Sequence, residues 1–380
     1  METDRPLGVE LNTFSPSDSE HWFKALDAQI DRESEQQQQE ATARWHDPKH
    51  GWIDGRQVES PSLFAMSRLF GSACQKFTES IPEVQAVTQL VIRRECRRRI
   101  IPSVLMQLLQ KLPQLQILAY EPWRLFCEYW NIRWDKGMLK HQLFDRRPNH
   151  LLVEFAFVIQ NALPSHVKML TMFEDPNSEI VSASAQWFGQ VDGNVTAAAE
   201  LVRTLVLRSC DLKHLSVSFL VDARQFLDSS QSTDCRHKLR SLTLTASILK
   251  RDSESSEIAS FLSNASSFPQ KTKQLERLIL WNSKPGEACA VIYQRDRSAQ
   301  QATLIRRGTW HFELDDEVVE SWKNVDPDLF LRIEHEQLQA AVKGTGDAIY
   351  HLGLSGEVID PTSARQLRQE EFVRSLTKGY

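Results

Sequence analysis

Aliphatic residues recur along the chain in one short frame, in which one aliphatic residue is followed by two more, three and five positions later. Six segments match this frame: Val87/Leu90/Ile92, Leu115/Leu118/Tyr120, Val167/Leu170/Met172, Leu212/Leu215/Val217, Leu239/Leu242/Leu244 and Leu275/Leu278/Leu280. Leu7, Val9 and Leu11 alternate in the same manner and predict a further unit. Residues two apart share one face of a strand, so each frame predicts a short strand with a buried face.

This frame is the core of a leucine-rich repeat, in which a short strand lines one wall of a curved solenoid. Segments between the frames, such as SVLMQLLQKL, have apolar residues at three- and four-residue steps and predict helices. The frames start 27 to 52 residues apart, whereas regular repeats run about 20–29 residues. We therefore predict an α/β fold, an irregular leucine-rich-repeat-like solenoid over residues 1–286, with an exposed polar insertion at residues 27–44.

The C-terminal residues change character. ACAVIYQRD and TLIRRGTWHFEL predict two paired strands, and DDEVVESWKNV predicts a helix with acidic residues in its first turn. We predict that residues 287–380 form a small β-hairpin-plus-helix cap, continuous with the solenoid. Such a cap covers the last repeat, which a solenoid needs in order to remain soluble.

Side chains between and flanking the last two buried aliphatic residues of each frame are predicted to point away from the core, along the strand wall. They mix charged, hydroxyl and aromatic groups, which is typical of a protein-recognition surface. A register error of one residue would reverse this face. We predict that a partner protein binds this wall through Arg93, Glu121, Phe173, His214, Ser218, Thr245, Arg277 and Trp281.

Composition places the chain among ordinary globular proteins, with 41% hydrophobic and 25% charged residues in 380. The net charge of −5 and pI near 6.2 give no overall attraction to nucleic acid or anionic membrane, and neither is a predicted partner. The six cysteines are scattered and predict reduced thiols. No apolar run reaches the length of a membrane span and no leader pattern opens the chain, so we expect a cytoplasmic or nuclear protein.

The segment WHDPKHGW carries two histidines, His46 and His50, four positions apart. Histidines at that spacing bind one metal ion when they share a helical face, and a metal-dependent enzyme or metal-binding protein centred on them is the alternative function. Pro48 lies between them and disfavours a helix. We therefore predict a packing loop with Trp45 and Trp52 buried, the histidines nearer the surface, and no metal or cofactor.

The run RRECRRR at residues 93–99 is a second candidate. It is typical of a nuclear-localisation signal, a phosphate-binding patch or, the interpretation that we favour, a solvated strand edge paired with nearby acids. Enzyme motifs are incomplete: His335 lacks the second histidine of HExxH, and the GTGD stretch at Gly344 lacks a phosphate-loop lysine. We predict that the protein is not an enzyme.

Several longer strings carry a family resemblance, among them SPSDSEHWF (15–23), VIRRECRRR (91–99), LRSLTLTASIL (239–249) and LILWNSKPGEACAVIY (278–293). With these strings the chain resembles the leucine-rich part of filamentous-fungal F-box proteins, whose C-terminal region is a domain of unknown function. The resemblance implies a non-enzymatic protein–protein interaction module that recognises an unidentified target protein for a ubiquitin ligase.

The chain departs from that family at its start. Family members begin with an F-box, a helical module that opens with a leucine-proline motif, and nothing before Leu7 supplies one. The F-box is the part that binds the ubiquitin-ligase adaptor. We therefore expect that adaptor as a partner only if an F-box lies upstream.

Overall fold

The computed structural model describes residues 7–13, 46–54, 56–59, 72–73, 77, 79–123, 150–174, 199–233 and 236–377. Strands in these residues are β1 (Leu7–Glu10), β2 (Trp52–Ile53), β3 (Arg56–Gln57), β4 (Ser72–Ala73), β5 (Val87–Ile92), β6 (Arg99–Ile100), β7 (Ile117–Tyr120), β8 (Met169–Phe173), β9 (His214–Asp222), β10 (Ser241–Thr245), β11 (Arg277–Lys284), β12 (Glu287–Asp296), β13 (Gln301–Gly308) and β14 (Phe330–Gln337). Helices are a 3-10 helix (Pro48–His50), α1 (Pro102–Leu109), α2 (His150–Ala162), α3 (Ala199–Arg208), α4 (Ala223–Gln231), α5 (Ser255–Ala265), α6 (Ser267–Lys271), α7 (Asp316–Lys323), α8 (Thr345–Leu352) and α9 (Pro361–Thr377).

An open sheet of ten strands runs through the molecule in the order β1-β5-β7-β8-β9-β10-β11-β12-β13-β14. Neighbouring strands are parallel, except that β12 is antiparallel to both β11 and β13. Parallel neighbours require a crossover connection, and helices accordingly separate the frame strands along the chain. The short pairs β2–β3 and β4–β6 stand apart from this sheet.

One face of the sheet carries a layer of helices. The last two aliphatic residues of each frame are buried on this face, as Leu90 and Ile92 are in β5 and Leu278 and Leu280 are in β11. Helices α1, α2, α3, α4, α5 and α7 form the layer, each contacting the next. Full burial of one aliphatic side chain contributes about 1.5–3 kcal/mol, so this continuous core supplies most of the stability.

Two helices of this layer begin at aspartate caps. The Asp222 carboxylate accepts a hydrogen bond from the Arg224 amide at 2.8 Å, and that of Asp315 accepts one from the Val318 amide at 2.8 Å. An aspartate cap satisfies a helix amide that has no partner within the helix and contributes about 1 kcal/mol. The caps therefore fix the points at which α4 and α7 leave the preceding chain.

Residues that follow β14 cover the opposite face of the sheet. Helix α8 packs on β11 and β12, and α9 packs on α8. Ile279 and Trp281 of β11 are buried there together with Ile349 and Leu352 of α8 and Val358 of the α8–α9 connection. The architecture therefore has three layers in this part of the molecule, with helices on both faces of the sheet.

The predicted α/β class is confirmed, but the irregular leucine-rich-repeat-like solenoid is wrong. The frames contribute strands to one open, mostly parallel ten-stranded sheet, which continues beyond them through antiparallel strands. A frame reports only that alternate residues of a strand are buried on one side. It cannot tell whether the other side faces water, as in a solenoid, or lies under further helices, as it does here.

The strands predicted in the C-terminal region are confirmed. β12 and β13 pair along Cys289↔Gly308 to Asp296↔Gln301, and α7 follows them. They do not form a small β-hairpin cap, because β12 also pairs with β11 from Glu287 to Gln294, within the ten-stranded sheet. The sheet thus runs without a break through the predicted boundary between residues 286 and 287. The predicted insertion at residues 27–44 lies outside the described residues.

Candidate functional site

The predicted strand wall corresponds to the sheet face that α8 and α9 partly cover. Register sets its side chains in rows, because Ser241 lies beside both His214 and Arg277, and Thr245 lies beside Trp281. Two rows are important here. The strand-start row is Met169, His214, Ser241 and Arg277, and the strand-end row is Glu121, Phe173, Ser218, Thr245 and Trp281.

The strand-end row is buried. Glu121, Phe173, Ser218 and Trp281 are at most 1% exposed and Thr245 is 6% exposed. The Phe219 ring contacts the Phe173 and Trp281 rings edge to face, with centroids 5.6 and 5.2 Å away. These five predicted contact residues are therefore core residues of the second layer. A partner cannot reach them in this structure, which corrects the expectation that they line an open wall.

A bulge in β9 brings Phe219 into this aromatic cluster. Pairing with β10 passes from Leu244↔Val217 directly to Thr245↔Asp222, so the intervening residues of β9 loop out of the ladder. Phe219 has a φ of 63°, and its amide donates to the Thr245 hydroxyl at 2.9 Å. A left-handed φ is unfavourable for an aromatic residue, so tertiary packing must hold this ring in place.

Glu121 is the polar end of the strand-end row. Its carboxylate accepts hydrogen bonds from the Arg94 amide at 3.0 Å and the Asp360 amide at 2.8 Å. Burial raises the pKa of this carboxyl above its usual value, although the nearby Ser363 side chain and the hydrogen bonds from the Asp360 and Arg94 amides oppose that rise. Glu121 thereby joins the end of β7 to the chain segment that enters α9.

The arginines of RRECRRR include a second buried anchor. Arg94 Nη2 lies 2.7 Å from Glu370 Oε2 of α9, and both side chains are fully buried. The Arg94 guanidinium also lies 4.5 Å from the centre of the Trp123 ring. Arg93 pairs with Glu10 at 3.3 Å and with Asp360 at 3.2 Å. Both arginines therefore pair with acids, as expected, but Arg94 is fully buried, which corrects the expectation of a solvated edge. The two pairs hold α9 and the residue before it on the first strands.

Helix α8 is joined to α9 by a third acidic residue. Both oxygens of Glu371 accept from the Gly346 amide, at 2.9 and 2.8 Å, in the first turn of α8. Carboxylates are stabilised at helix N-termini by the unpaired amides and the helix dipole. A Cβ at Gly346 would lie 2.5 Å from the Arg368 backbone nitrogen, so glycine is required for this close approach of α8 to α9.

The strand-start row, in contrast, is half open. Met169, His214, Ser241 and Arg277 are all half-buried. Arg277 pairs with Glu357 at 3.4 Å. Burial lowers the pKa of the His214 imidazole, Arg240 and Lys213 lower it further, and Glu357 and Glu276 oppose them. The row therefore presents a neutral imidazole, a hydroxyl, a thioether and a guanidinium side by side.

Basic residues border the strand-start row. Backbone hydrogen bonds join the residues just before β8, β9, β10 and β11 in a ladder: the Lys213 amide donates to Lys168, the Arg240 amide to Lys213, and the Glu276 amide to Arg240. We call Lys168, Lys213 and Arg240 the basic margin. Arg240 pairs with Glu276 at 3.7 Å, whereas Lys168 donates from its ammonium to the Ser165 carbonyl. Lys213 is exposed and makes no ion pair with a described residue.

Comparison with known proteins assigns the chain to a family. Residues 162–360, more than half of the 380-residue chain, match the model of a family of unknown function, DUF6546. The chain belongs to the DUF6546 family. The expectation of a domain of unknown function is thus confirmed. No curated protein and no solved structure matches the chain.

The DUF6546 match contains the strand-start row and the basic margin, as well as α3 to α8. Arg94 and Glu121 lie before it, and Glu370 and Glu371 lie after it. The buried network that fixes α9 therefore joins parts of the chain that flank the matched segment on both sides. None of the described helices combines the length and the apolar character needed to cross a membrane.

WHDPKHGW lies outside the DUF6546 match and forms a tight loop. Pro48–His50 is a 3-10 turn, and Asp47 and Trp52 exchange backbone hydrogen bonds of 2.7 and 2.9 Å. Trp52 is 4% exposed, whereas the His46 side chain is 57% exposed and its Nδ1 lies 3.0 Å from Asp54 Oδ1. Trp45 and the His50 side chain are not among the described residues. In the described part of the chain, no group of three potential ligands is arranged to hold a metal ion.

Two cysteines agree with the prediction of reduced thiols and a third does not. Cys96 and Cys289 are free and buried. Burial raises the pKa of the Cys289 thiol to about 12, which keeps it protonated and unreactive. Cys210 is disulfide-bonded, which corrects the prediction because scattered positions in the sequence carry no information about which cysteines meet in space.

The helix layer carries a separate cleft between α4 and α5. It has a volume of about 370 Å³ and polar walls that include Arg224, Asp228, Glu257 and Asn264. Phe261 lines it and lies 5.9 Å from the Arg224 guanidinium. The cleft is wide open and combines both signs of charge, so it favours no particular ligand.

Sequence reasoning missed the basic margin, although a signal was present. Lys168, Lys213 and Arg240 each follow the first aliphatic residue of their frame. Equivalent frame positions lie side by side in a parallel sheet, so three basic residues there predict a basic border. The predicted wall contains only the positions two, four and six after the first aliphatic residue of each frame, and therefore leaves out the position directly after it.

Proposed function

We propose that the chain is a non-enzymatic protein–protein interaction module, and that its contact surface is the strand-start row with the basic margin. One observation carries this proposal. Strands β9 and β11 place His214 and Arg277 on either side of Ser241, at a half-open edge of an otherwise covered face, with Lys168 and Lys213 beside them. Of the eight residues predicted to bind a partner, these two remain accessible without being committed to the buried network around α9.

The chemistry of this surface favours a protein partner that carries carboxylates. Methionine and arginine are enriched at protein interfaces, and the row contains Met169 and Arg277. Lys213 is exposed and makes no ion pair with a described residue, so an approaching carboxylate displaces no internal partner. The overall charge of −5 gives no comparable support for a nucleic-acid partner.

The resemblance to fungal F-box proteins supports a finer version of the proposal. In that version the bound protein is a target for ubiquitination in the cytoplasm or nucleus, and the ubiquitin-ligase adaptor is a second partner if an F-box lies upstream. Co-precipitation from a fungal lysate tests this version directly. Recovery of the adaptor with the full-length gene product supports it, and recovery of a target protein without the adaptor contradicts it.

Charge reversal at the margin tests the proposed surface. We expect the Lys168→Glu/Lys213→Glu variant to lose at least about tenfold of its affinity for a partner captured by the unaltered chain, because like charges then face the partner's carboxylates. Affinity is measured by titration with the captured partner. The matched control is Lys250→Glu/Lys323→Glu, which makes the same charge change at exposed positions after β10 and in α7. Equal affinity loss in both variants would argue against the strand-start row.

A further inference from the structure

β14 forms one edge of the ten-stranded sheet. It is eight residues long, contains neither proline nor glycine, and pairs in parallel with β13 along its whole length. Within the described residues, nothing pairs with its other side. Edge strands of this length expose a row of unpaired backbone donors and acceptors, which are a template for a further strand.

Register shows which backbone groups face outward. The Phe330 amide donates to the Gln300 carbonyl, and the Leu338 amide donates to the Gly308 carbonyl. Alternate residues of a strand direct their amide and carbonyl groups to opposite sides. The even-numbered residues of β14 therefore pair with β13, and Leu331, Ile333, His335 and Gln337 present their amides and carbonyls at the open edge.

Side chains of opposite charge flank the centre of this edge. Arg332 and Glu334 lie on the same face of β14, with Arg332 Nε 2.8 Å from Glu334 Oε1. The Arg332 side chain is 60% exposed, and Phe330 at the start of the strand is 72% exposed. Neither of these side chains is thus covered by another described part of the chain.

We propose that β14 pairs antiparallel with β14 of a second copy of this chain, about a two-fold axis at Ile333. In this register Ile333 lies opposite Ile333 of the second copy, and Leu331 lies opposite His335. All of these residues direct their backbone groups outward, so each opposed pair exchanges two hydrogen bonds. The two sheets then join into one continuous sheet, and the interface is self-complementary as a two-fold dimer requires.

Charge selects this register over its neighbours. With the axis at Ile333, Arg332 of each copy faces Glu334 of the other, which gives two ion pairs across the interface. An axis at Arg332 opposes two arginines, and an axis at Glu334 opposes two glutamates. Directly opposed like charges destabilise a strand pair. The edge sequence is thus complementary to itself in one antiparallel register, which is the argument for a second copy rather than an unrelated strand.

Sedimentation velocity over a range of concentrations, with the full chain, tests the dimer. We expect a reversible dimer whose dissociation constant rises roughly tenfold to a hundredfold in Arg332→Glu and likewise in Glu334→Arg, because each change opposes like charges twice. Arg251→Glu is the matched control, since it breaks another ion pair of an exposed arginine, with Glu287 of β12, which β13 separates from β14 in the sheet. A monomer at all concentrations, or single variants that still dimerise normally, would overturn the proposal.

A mixture of the two variants separates pairing from misfolding. When a chain with Arg332→Glu meets a chain with Glu334→Arg, an acid again faces a base at both positions. The mixture is therefore expected to recover dimers that neither variant forms alone. Continued absence of dimers from the mixture, with both variants folded by circular dichroism, would also overturn the proposal. The inference does not rest on the proposed function, because the strand-start row takes no part in it.

Discussion

The strand-start row and the strand-end row belong to the same strands and the same sheet face, yet one is half open and the other is sealed. The sealed row holds Phe173, Trp281 and Glu121 under the chain that follows β14, whereas the open row holds His214 and Arg277. Large aromatic side chains on a wall predicted to face water are thus better explained by a covering layer than by a partner. Accessibility is decided by distant parts of the chain and not by the strand itself.

The largest expected effect on stability comes from breaking the buried Arg94–Glu370 ion pair near the strand-end row. Arg94→Ala leaves the Glu370 carboxylate buried without its cation, and we expect a loss of about 3–5 kcal/mol in the free energy of unfolding. Urea denaturation measures it. Arg240→Ala is the control, because its ion pair with Glu276 is exposed and contributes less than about 1 kcal/mol. Similar losses in the two variants would contradict the distinction between sealed and open pairs.

A smaller effect is expected from the aromatic cluster. Phe173→Leu removes an edge-to-face contact with Phe219 and leaves a small cavity. We therefore expect the free energy of unfolding to fall by about 1.5–3 kcal/mol. Met169→Leu, at the start of the same strand, replaces one side chain by another of similar volume. We expect it to lower the free energy of unfolding by less than about 1 kcal/mol. Thermal or urea unfolding of both variants measures the difference. A larger loss of unfolding free energy in Met169→Leu than in Phe173→Leu would contradict the contrast between the two rows.

The smallest effects concern pH and have opposite signs at the two rows. The pKa of Glu121 is raised mainly by burial, so its contribution to stability is present below the usual carboxyl pKa of 4.5 and is lost as pH rises through the raised value. The pKa of His214 is lowered mainly by burial, so its contribution is present above 6.5 and is lost as pH falls through the lowered value.

Urea denaturation across mildly acidic to neutral pH measures these two dependences. We expect Glu121→Gln to remove the loss of stability as pH rises through the pKa of Glu121. We expect His214→Gln to remove the loss of stability as pH falls through the pKa of His214. Each variant serves as the control for the other, because the two groups titrate in opposite senses. A pH profile that neither substitution alters would show that other groups govern it.

Much of the sheet could be predicted from local pattern. The frames identify strands β5 and β7 to β11 and the face that each buries, since alternation within a strand is a local property. The β12–β13 pair was predictable for the same reason. The covering of the second face was not, because α8 and α9 show no signal that distinguishes packing on this sheet from packing on a last repeat.

The residues of the site also differ in how well their placement could be predicted from the sequence. His214 and Arg277 were predicted at the correct face and remain accessible. The burial of Phe173 could not be predicted because it depends on Phe219, whose ring enters the cluster only through a bulge and a left-handed backbone. The anchor role of Arg94 depends on a partner 276 residues away, a separation that no spacing rule reaches.

That separation has a consequence for the order in which the chain folds. Synthesis at about 5–20 residues per second places Glu370 roughly 15–55 s behind Arg94. Until then the Arg94 guanidinium lacks its buried carboxylate partner, so we expect β5 and β7 to reach their final packing only after α9 has been synthesised. Packing of α9 therefore completes the buried pair, and a fragment limited to residues 162–360 would lack both Arg94 and Glu370.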